Sequence, residues 1–104
     1  MARQYDVVAN PDDRDATTRP YLIILQSDLI AGLHSTIVAP LIPRAHMSGA
    51  NRLNPIIVVN EQEYWLATHE LFAVDRRILR APIANMSERR QAITAALDLI
   101  FLGF

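Results

Sequence analysis

The fold is decided by the C-terminal stretch SERRQAITAALDLIFLGF, residues 87–104. Its apolar residues recur at steps of three and four, which is the spacing of one helix face. They are Ile93, Ala96, Leu97, Ile100, Phe101 and Phe104. Ser87 is a favourable N-cap residue, and Gly103 lies where a helix C-terminus is expected. The stretch therefore predicts a single helix that ends the chain.

The end of this predicted helix is apolar beyond its main face. Leu99 and Leu102 lie off the stripe, so the last two turns are apolar nearly all round. Such a helix is normally buried on every side, but a chain terminus is poorly placed for burial. Asp98 is the one charge there, near the negative end of the helix dipole. We expect this end to contact another protein chain, and the alternative is packing on its own core.

The rest of the chain predicts short strands. The segments with strand character are 5–8, 21–25, 36–41, 56–59 and 64–68, with shorter candidates at 71–74 and 77–79. Polar segments 10–20 and 43–54 predict loops, and residues 60–63 predict a hairpin connection. Pro40 predicts that its strand lies at an edge or ends there. The pattern predicts a mostly β fold, a small antiparallel barrel or sheet with one C-terminal helix.

Composition limits the class of protein. A chain of 104 residues forms one domain, 1–104, and its 51% hydrophobic and 20% charged residues argue against disorder. The net charge of −1 gives no global signal for nucleic acid or an anionic membrane. The absence of cysteine excludes disulfides and thiolate metal sites. Without a signal peptide or a membrane-length apolar run, we expect a soluble cytoplasmic protein.

No residue pattern requires an enzyme. His34, His46 and His69 have no ligand-like spacing, so no metal site is expected. No glycine-rich phosphate loop is present. Arg44, His46 and Arg52 in one loop could bind a phosphate and move a proton, as RNA cleavage requires. A solvated loop is the preferred interpretation of these three residues.

Three stretches resemble the CcdB family, the toxin half of a bacterial toxin–antitoxin pair. The first is LQSDLI at 25–30, followed by IVAPL at 37–41. The second is PIIVV at 55–59 with the hairpin to YW at 64–65, and the third is MSER at 86–89 through LIFLGF at 99–104. Their order and spacing, and the chain length, are similar to that family over nearly the whole chain. The Gln-Ser-Asp motif and the helix end are fairly specific when taken together.

The resemblance implies an SH3-like barrel of the CcdB/PemK type with a C-terminal helix, working as a homodimer. It implies a toxin that binds the A subunit of DNA gyrase and traps the enzyme on cleaved DNA. The disordered C-terminal segment of an antitoxin would neutralise it. The resemblance implies no catalysed reaction, no cofactor, and no direct binding of nucleic acid or membrane. The implied gyrase-binding positions are Leu29, Ile30, Asp98, Phe101, Leu102, Gly103 and Phe104.

The chain departs from the family pattern at three of these positions. Leu102 stands where the pattern has Trp, Asp98 where it has Asn, and Phe104 where it has Ile. The indole is a large flat ring of the kind that often dominates interface energy. The departures predict gyrase binding that is weaker, altered or absent, with the fold and the dimer kept. Two alternatives stay open: a ribonuclease toxin on the same barrel, and a degenerate toxin retained as an antitoxin-binding partner.

Overall fold

Seven strands form one curled antiparallel sheet in the computed structural model, which describes residues 2–104. The strands are β1 (Asp6–Ala9), β2 (Tyr21–Ile24), β3 (Ser35–Pro43), β4 (Ile56–Val59), β5 (Gln62–Leu66), β6 (Phe72–Asp75) and β7 (Pro82–Asn85). They pair in the order β4-β5-β3-β2-β1-β7, and β6 pairs with the first half of β3. Helix α1 (Arg90–Leu102) follows the last strand. This half-barrel with one C-terminal helix confirms the predicted fold class.

The long strand β3 lies at the centre of the sheet, and the prediction of an edge or strand end at Pro40 is wrong. One side of β3 pairs with β2. The other side pairs with β6 over residues 35–38 and with β5 over residues 41–43. The Pro40 carbonyl accepts a hydrogen bond from Ala67 N at 2.9 Å, so its ring nitrogen points to this second side. Proline is tolerated because its missing N–H lies where the partner changes from β6 to β5.

Strands β1 and β2 and the middle of β3 bury both of their faces, in two hydrophobic clusters. Val7 and Ile23 belong to the cluster beneath α1, together with Ile93 of the helix. Their sequence neighbours Val8 and Leu22 belong to a second cluster. Successive side chains of a strand point to opposite faces. The continuous apolar run at 21–25 is therefore the signature of a strand covered on both sides.

Helix α1 begins later than the sequence predicts. A 3₁₀ turn, Ser87–Arg89, precedes it, and the Ser87 side chain makes no capping bond. The predicted N-cap is wrong because Asn85 supplies the bond instead: its Oδ1 accepts from Ser87 N at 2.9 Å. The predicted C-terminus is confirmed. Gly103 has a φ of +81°, and its N–H donates to the carbonyls of Asp98 and Leu99.

Three features between β4 and α1 also differ from the prediction. Residues 77–79 form no strand, because the Asp75 carboxylate accepts from Arg77 N and starts a 3₁₀ turn, Arg76–Ile78. Strand β7 was not predicted, since proline opens it and its pairing with β1 is remote in sequence. The hairpin turn is shorter than predicted: Asn60 and Glu61 both have positive φ, as in a type I′ turn, so β5 begins at Gln62.

Two further kinds of feature are absent from residues 2–104. No helix there has the length and apolarity required to cross a bilayer. Over the same residues, no three side chains of His, Cys, Asp or Glu are grouped in a way that could hold a metal ion.

Candidate functional site

The Gln-Ser-Asp motif holds an exposed apolar turn, Asp28–Ile30, through three side-chain contacts. Gln26 Oε1 accepts from a main-chain N–H of β3 at 3.3 Å. Ser27 Oγ accepts from Leu29 N at 3.1 Å, and Asp28 Oδ1 accepts from a main-chain N–H just before β1 at 2.9 Å. The turn is anchored at its start, yet Leu29 is 95% exposed and Ile30 is 50% exposed. Large apolar side chains are thus presented to solvent on an anchored backbone.

The last residues of the chain form a second exposed apolar group. Phe101 is 66% exposed, Leu102 61% and Phe104 75%, whereas Ile93 and Ala96 earlier in α1 are fully buried. The helix is therefore anchored by its first half, and its end extends beyond the core. No residue of the described chain, 2–104, covers this end in the way that the sheet covers Ile93.

A groove of about 330 Å³ joins these two groups. Ile30 from the turn and Phe101 from the helix both line it, although they are far apart in the sequence. Its other lining residues are Leu25, Gln26, Ser27, Ile37, Leu71 and Leu97. The structure therefore brings together two of the predicted contact residues at one largely apolar surface.

The other predicted contact residues do not line this groove. Leu29 projects from the turn, and Leu102 and Phe104 are exposed at the chain end. Asp98 is half-buried, and its carbonyl accepts from Gly103 N at 3.1 Å. Sequence reasoning missed the contributions of Ile37 and Leu71 to the groove. Their only signal was apolar character within or beside a strand, which does not distinguish a groove wall from core.

The family of the chain follows from a comparison with protein-family models. The model of the CcdB protein family matches residues 4–103, which is nearly the whole chain. The chain belongs to the CcdB family. Membership indicates a toxin of a toxin–antitoxin system that acts on DNA gyrase. No curated protein matches the sequence.

In this CcdB-family chain, Arg44, one of the loop residues considered for RNA cleavage, is held in an ion pair. The Arg44 guanidinium pairs with Glu63 at 2.7 Å and lies 5.7 Å from the centroid of the Trp65 ring. Arg52 lines a pocket to which neither Arg44 nor His46 contributes. A cleavage site needs its proton-transfer group and its phosphate-binding groups at one place. This arrangement gives no support to RNA cleavage.

The shifted pKa values of the carboxylate and arginine side chains in this CcdB-family chain belong to structural ion pairs. Arg19 donates to both carboxylate oxygens of Glu70, at 2.7 and 3.0 Å, and this hydrogen bonding lowers the pKa of Glu70. Hydrogen bonds from Arg77 lower the pKa of Asp75 to about 2. The first pair ties the loop at 10–20 to the 3₁₀ turn Thr68–Glu70, and the second fixes the turn after β6. Both pairs therefore hold loops in place.

Proposed function

We propose that the protein is a cytoplasmic toxin that binds the A subunit of DNA gyrase and traps the gyrase–DNA cleavage complex. The proposed contact is the helix-end surface, defined as Leu29, Ile30, Asp98, Phe101, Leu102, Gly103 and Phe104. The observation that carries the proposal is the groove lined by both Ile30 and Phe101, in a chain of the CcdB family. Toxin action is then binding without a catalysed reaction.

The exposure of this surface supports a contact role over a structural one. Burying a large apolar side chain fully is worth about 1.5–3 kcal/mol. Phe101, Leu102 and Phe104 forgo most of that gain in the isolated chain, because each is more than half exposed. A partner that covers them would recover it. Leu102 presents less area than an indole, so we expect lower affinity for gyrase than the tryptophan of the family pattern would give.

A gyrase cleavage assay tests the proposal. Supercoiled plasmid, gyrase, ATP and the protein are incubated and then denatured, and linear DNA is quantified. Trapping should make linear DNA accumulate, and Ile30→Thr should weaken the effect. Val58→Thr is the matched control, because Val58 on the edge strand β4 is 51% exposed and Ile30 is 50% exposed. No linear DNA at any concentration of the wild-type protein would favour a degenerate toxin.

We propose that the toxin works as a homodimer. The high apolar share of a small chain supports association. A two-fold arrangement would use the same patch on both chains. Light scattering should report twice the 11.7 kDa chain mass at micromolar concentration. A monomer that persists at high concentration contradicts this proposal.

We also propose neutralisation by the disordered C-terminal segment of a cognate antitoxin. Such a segment would become ordered on binding and lose conformational entropy as it does so. Co-expression of the adjacent small open reading frame should restore growth, and its product should co-purify with the toxin. A neighbour that neither rescues growth nor binds removes the support for a toxin–antitoxin pair at this locus.

A further inference from the structure

A second pocket lies between the loop at 43–54 and the start of α1, and its volume is about 550 Å³. We call it the arginine pocket. Two arginines from different parts of the chain line it, and the remaining wall is mainly apolar. The residues that define it are Arg52, Arg89, Ile56, Trp65, Ala92 and Ala95. The lining is therefore amphipathic, with two arginines in a mainly apolar wall.

The loop wall of the arginine pocket is fixed before any ligand arrives. Trp65 Nε1 donates to the carbonyls of Arg44 and Met47, at 3.1 and 2.9 Å. Gly49 packs so tightly against the indole that a Cβ at this position would overlap the ring. Buried Asn54 accepts from one main-chain N–H of the loop and donates to a carbonyl of β5. A wall held at this many points loses little entropy on binding.

The charges of Arg52 and Arg89 are not neutralised within the described chain, residues 2–104. Over residues 2–104, neither Arg52 nor Arg89 has a carboxylate within 4.0 Å, and no Asp or Glu lines the pocket. One N–H of Arg89 donates to the Ile56 carbonyl at 3.1 Å, which fixes the guanidinium at the rim. Arg52 has a φ of +69°, a left-handed conformation that costs a non-glycine residue on the order of 1 kcal/mol.

We propose that the arginine pocket binds an extended peptide segment in which acidic and apolar side chains alternate. Carboxylates of the segment would pair with Arg52 and Arg89, because a guanidinium donates two parallel hydrogen bonds to a carboxylate. The apolar side chains would pack on Ile56, Ala92 and Ala95. Alternation gives even a short extended segment both kinds of side chain, which a lining of arginines and aliphatic residues can accept. One part of this inference rests on the proposed function, namely that the segment belongs to the antitoxin.

The walls favour a peptide over a nucleic acid. Single-stranded nucleic acids bind by stacking bases on aromatic faces along a cationic groove. Trp65 is the one aromatic residue that lines the pocket, and Gly49 and the Arg44 guanidinium already cover part of its ring. Its N–H is also used, by two loop carbonyls. The aliphatic side chains that form the rest of the wall suit leucine or valine better than a base.

Calorimetry on the purified full chain tests the proposal with a terminally blocked peptide of alternating glutamate and leucine. Arg52→Gly and Arg89→Gln should each weaken binding by about tenfold or more, since each removes a charge-assisted contact. Arg52→Gly should keep the melting temperature, because glycine adopts a φ of +69° without strain. Arg90→Gln is the matched control: it removes an adjacent positive charge that does not line the pocket, and binding should be unchanged.

Three outcomes overturn the proposal. The first is equal binding by a glutamine–leucine peptide, which would make the charge irrelevant. The second is equal loss of affinity in Arg52→Gly and Arg90→Gln, which would indicate a non-local charge effect. The third is tighter binding of a single-stranded oligonucleotide than of the peptide. Gyrase cleavage by the same variants separates the two proposals, because Arg52→Gly should still trap gyrase while losing the peptide.

Discussion

Removing Leu102, Gly103 and Phe104 should strongly weaken gyrase trapping and leave the fold nearly intact. Leu102 is 61% exposed and Phe104 is 75% exposed, so neither contributes much to the core. The truncated helix keeps its anchors Ile93 and Ala96, which are fully buried. The deletion therefore removes a surface and leaves the packing beneath it.

The size of each effect follows from these exposures. The fold loses the hydrogen bonds that Gly103 N donates to the Asp98 and Leu99 carbonyls, worth about 1 kcal/mol. Full burial of a leucine or phenylalanine is worth about 1.5–3 kcal/mol. Scaled by the exposed fractions of Leu102 and Phe104, an interface would gain about 1–2 kcal/mol from each. Together they correspond to a loss of affinity of roughly 30- to 1,000-fold.

The assay measures linear plasmid against toxin concentration for the full and truncated chains, with thermal melts of both. The melting temperature should fall by no more than about 4–8 °C, the shift expected for 1 kcal/mol in a domain of this size. Light scattering checks that the truncated protein keeps its oligomeric state. If the truncated chain traps gyrase at the same concentration, or unfolds at a far lower temperature, the helix end is not the contact surface.

Three further predictions concern single residues. Asp98→Asn should leave gyrase binding equal or improved, because it removes a carboxylate that would lose water on contact; weaker trapping would contradict this. Gly49→Ala should lower stability in urea by about 1–3 kcal/mol through overlap with the indole ring, whereas Gly32→Ala, with open space around it, should show no such loss. Glu70→Gln should destabilise the protein by about 1 kcal/mol at neutral pH, a value kept small because the pair is partly exposed. Arg19 lowers the pKa of Glu70 in the folded protein. The difference in stability between the wild type and Glu70→Gln should therefore be full above pH 4.5 and vanish as acid protonates the carboxylate of the folded protein. A stability difference that stays constant across that pH range would rule out the ion pair as its cause.

The elements that the sequence predicts well are those with a local physical signal. The run at 21–25 is apolar at every position because the strand is covered on both faces. The C-terminal stripe places Ile93 and Ala96 in the core, as its spacing requires. Strand β7 carries no such signal, since Pro82 opens it and only its pairing with β1 makes it a strand. A long-range hydrogen-bond partner cannot be read from local composition.

Local composition also fails to predict which residues form the helix-end surface and the arginine pocket. Ile30 and Phe101 were assigned to one surface by family resemblance, and the fold does bring them to one groove. Spacing alone could not have paired them. The sequence does not indicate the arginine pocket, because spacing groups Arg52 with its loop neighbours, whereas the fold brings it to one pocket with Arg89 of the helix start. Sites built from remote segments depend on tertiary packing. At the arginine pocket, Trp65 and the loop that it holds provide this packing.

The fold does not require the apolar residues at the end of α1. The sheet covers α1 through Ile93 and Ala96, and Leu97 still packs partly against the same cluster. Beyond that point the helix needs only a stop, which Gly103 provides through its left-handed conformation. Polar residues there would serve the fold equally well and would lower the risk of aggregation. Phe101, Leu102 and Phe104 are exposed instead, and this exposure is what supports the proposed contact with another protein.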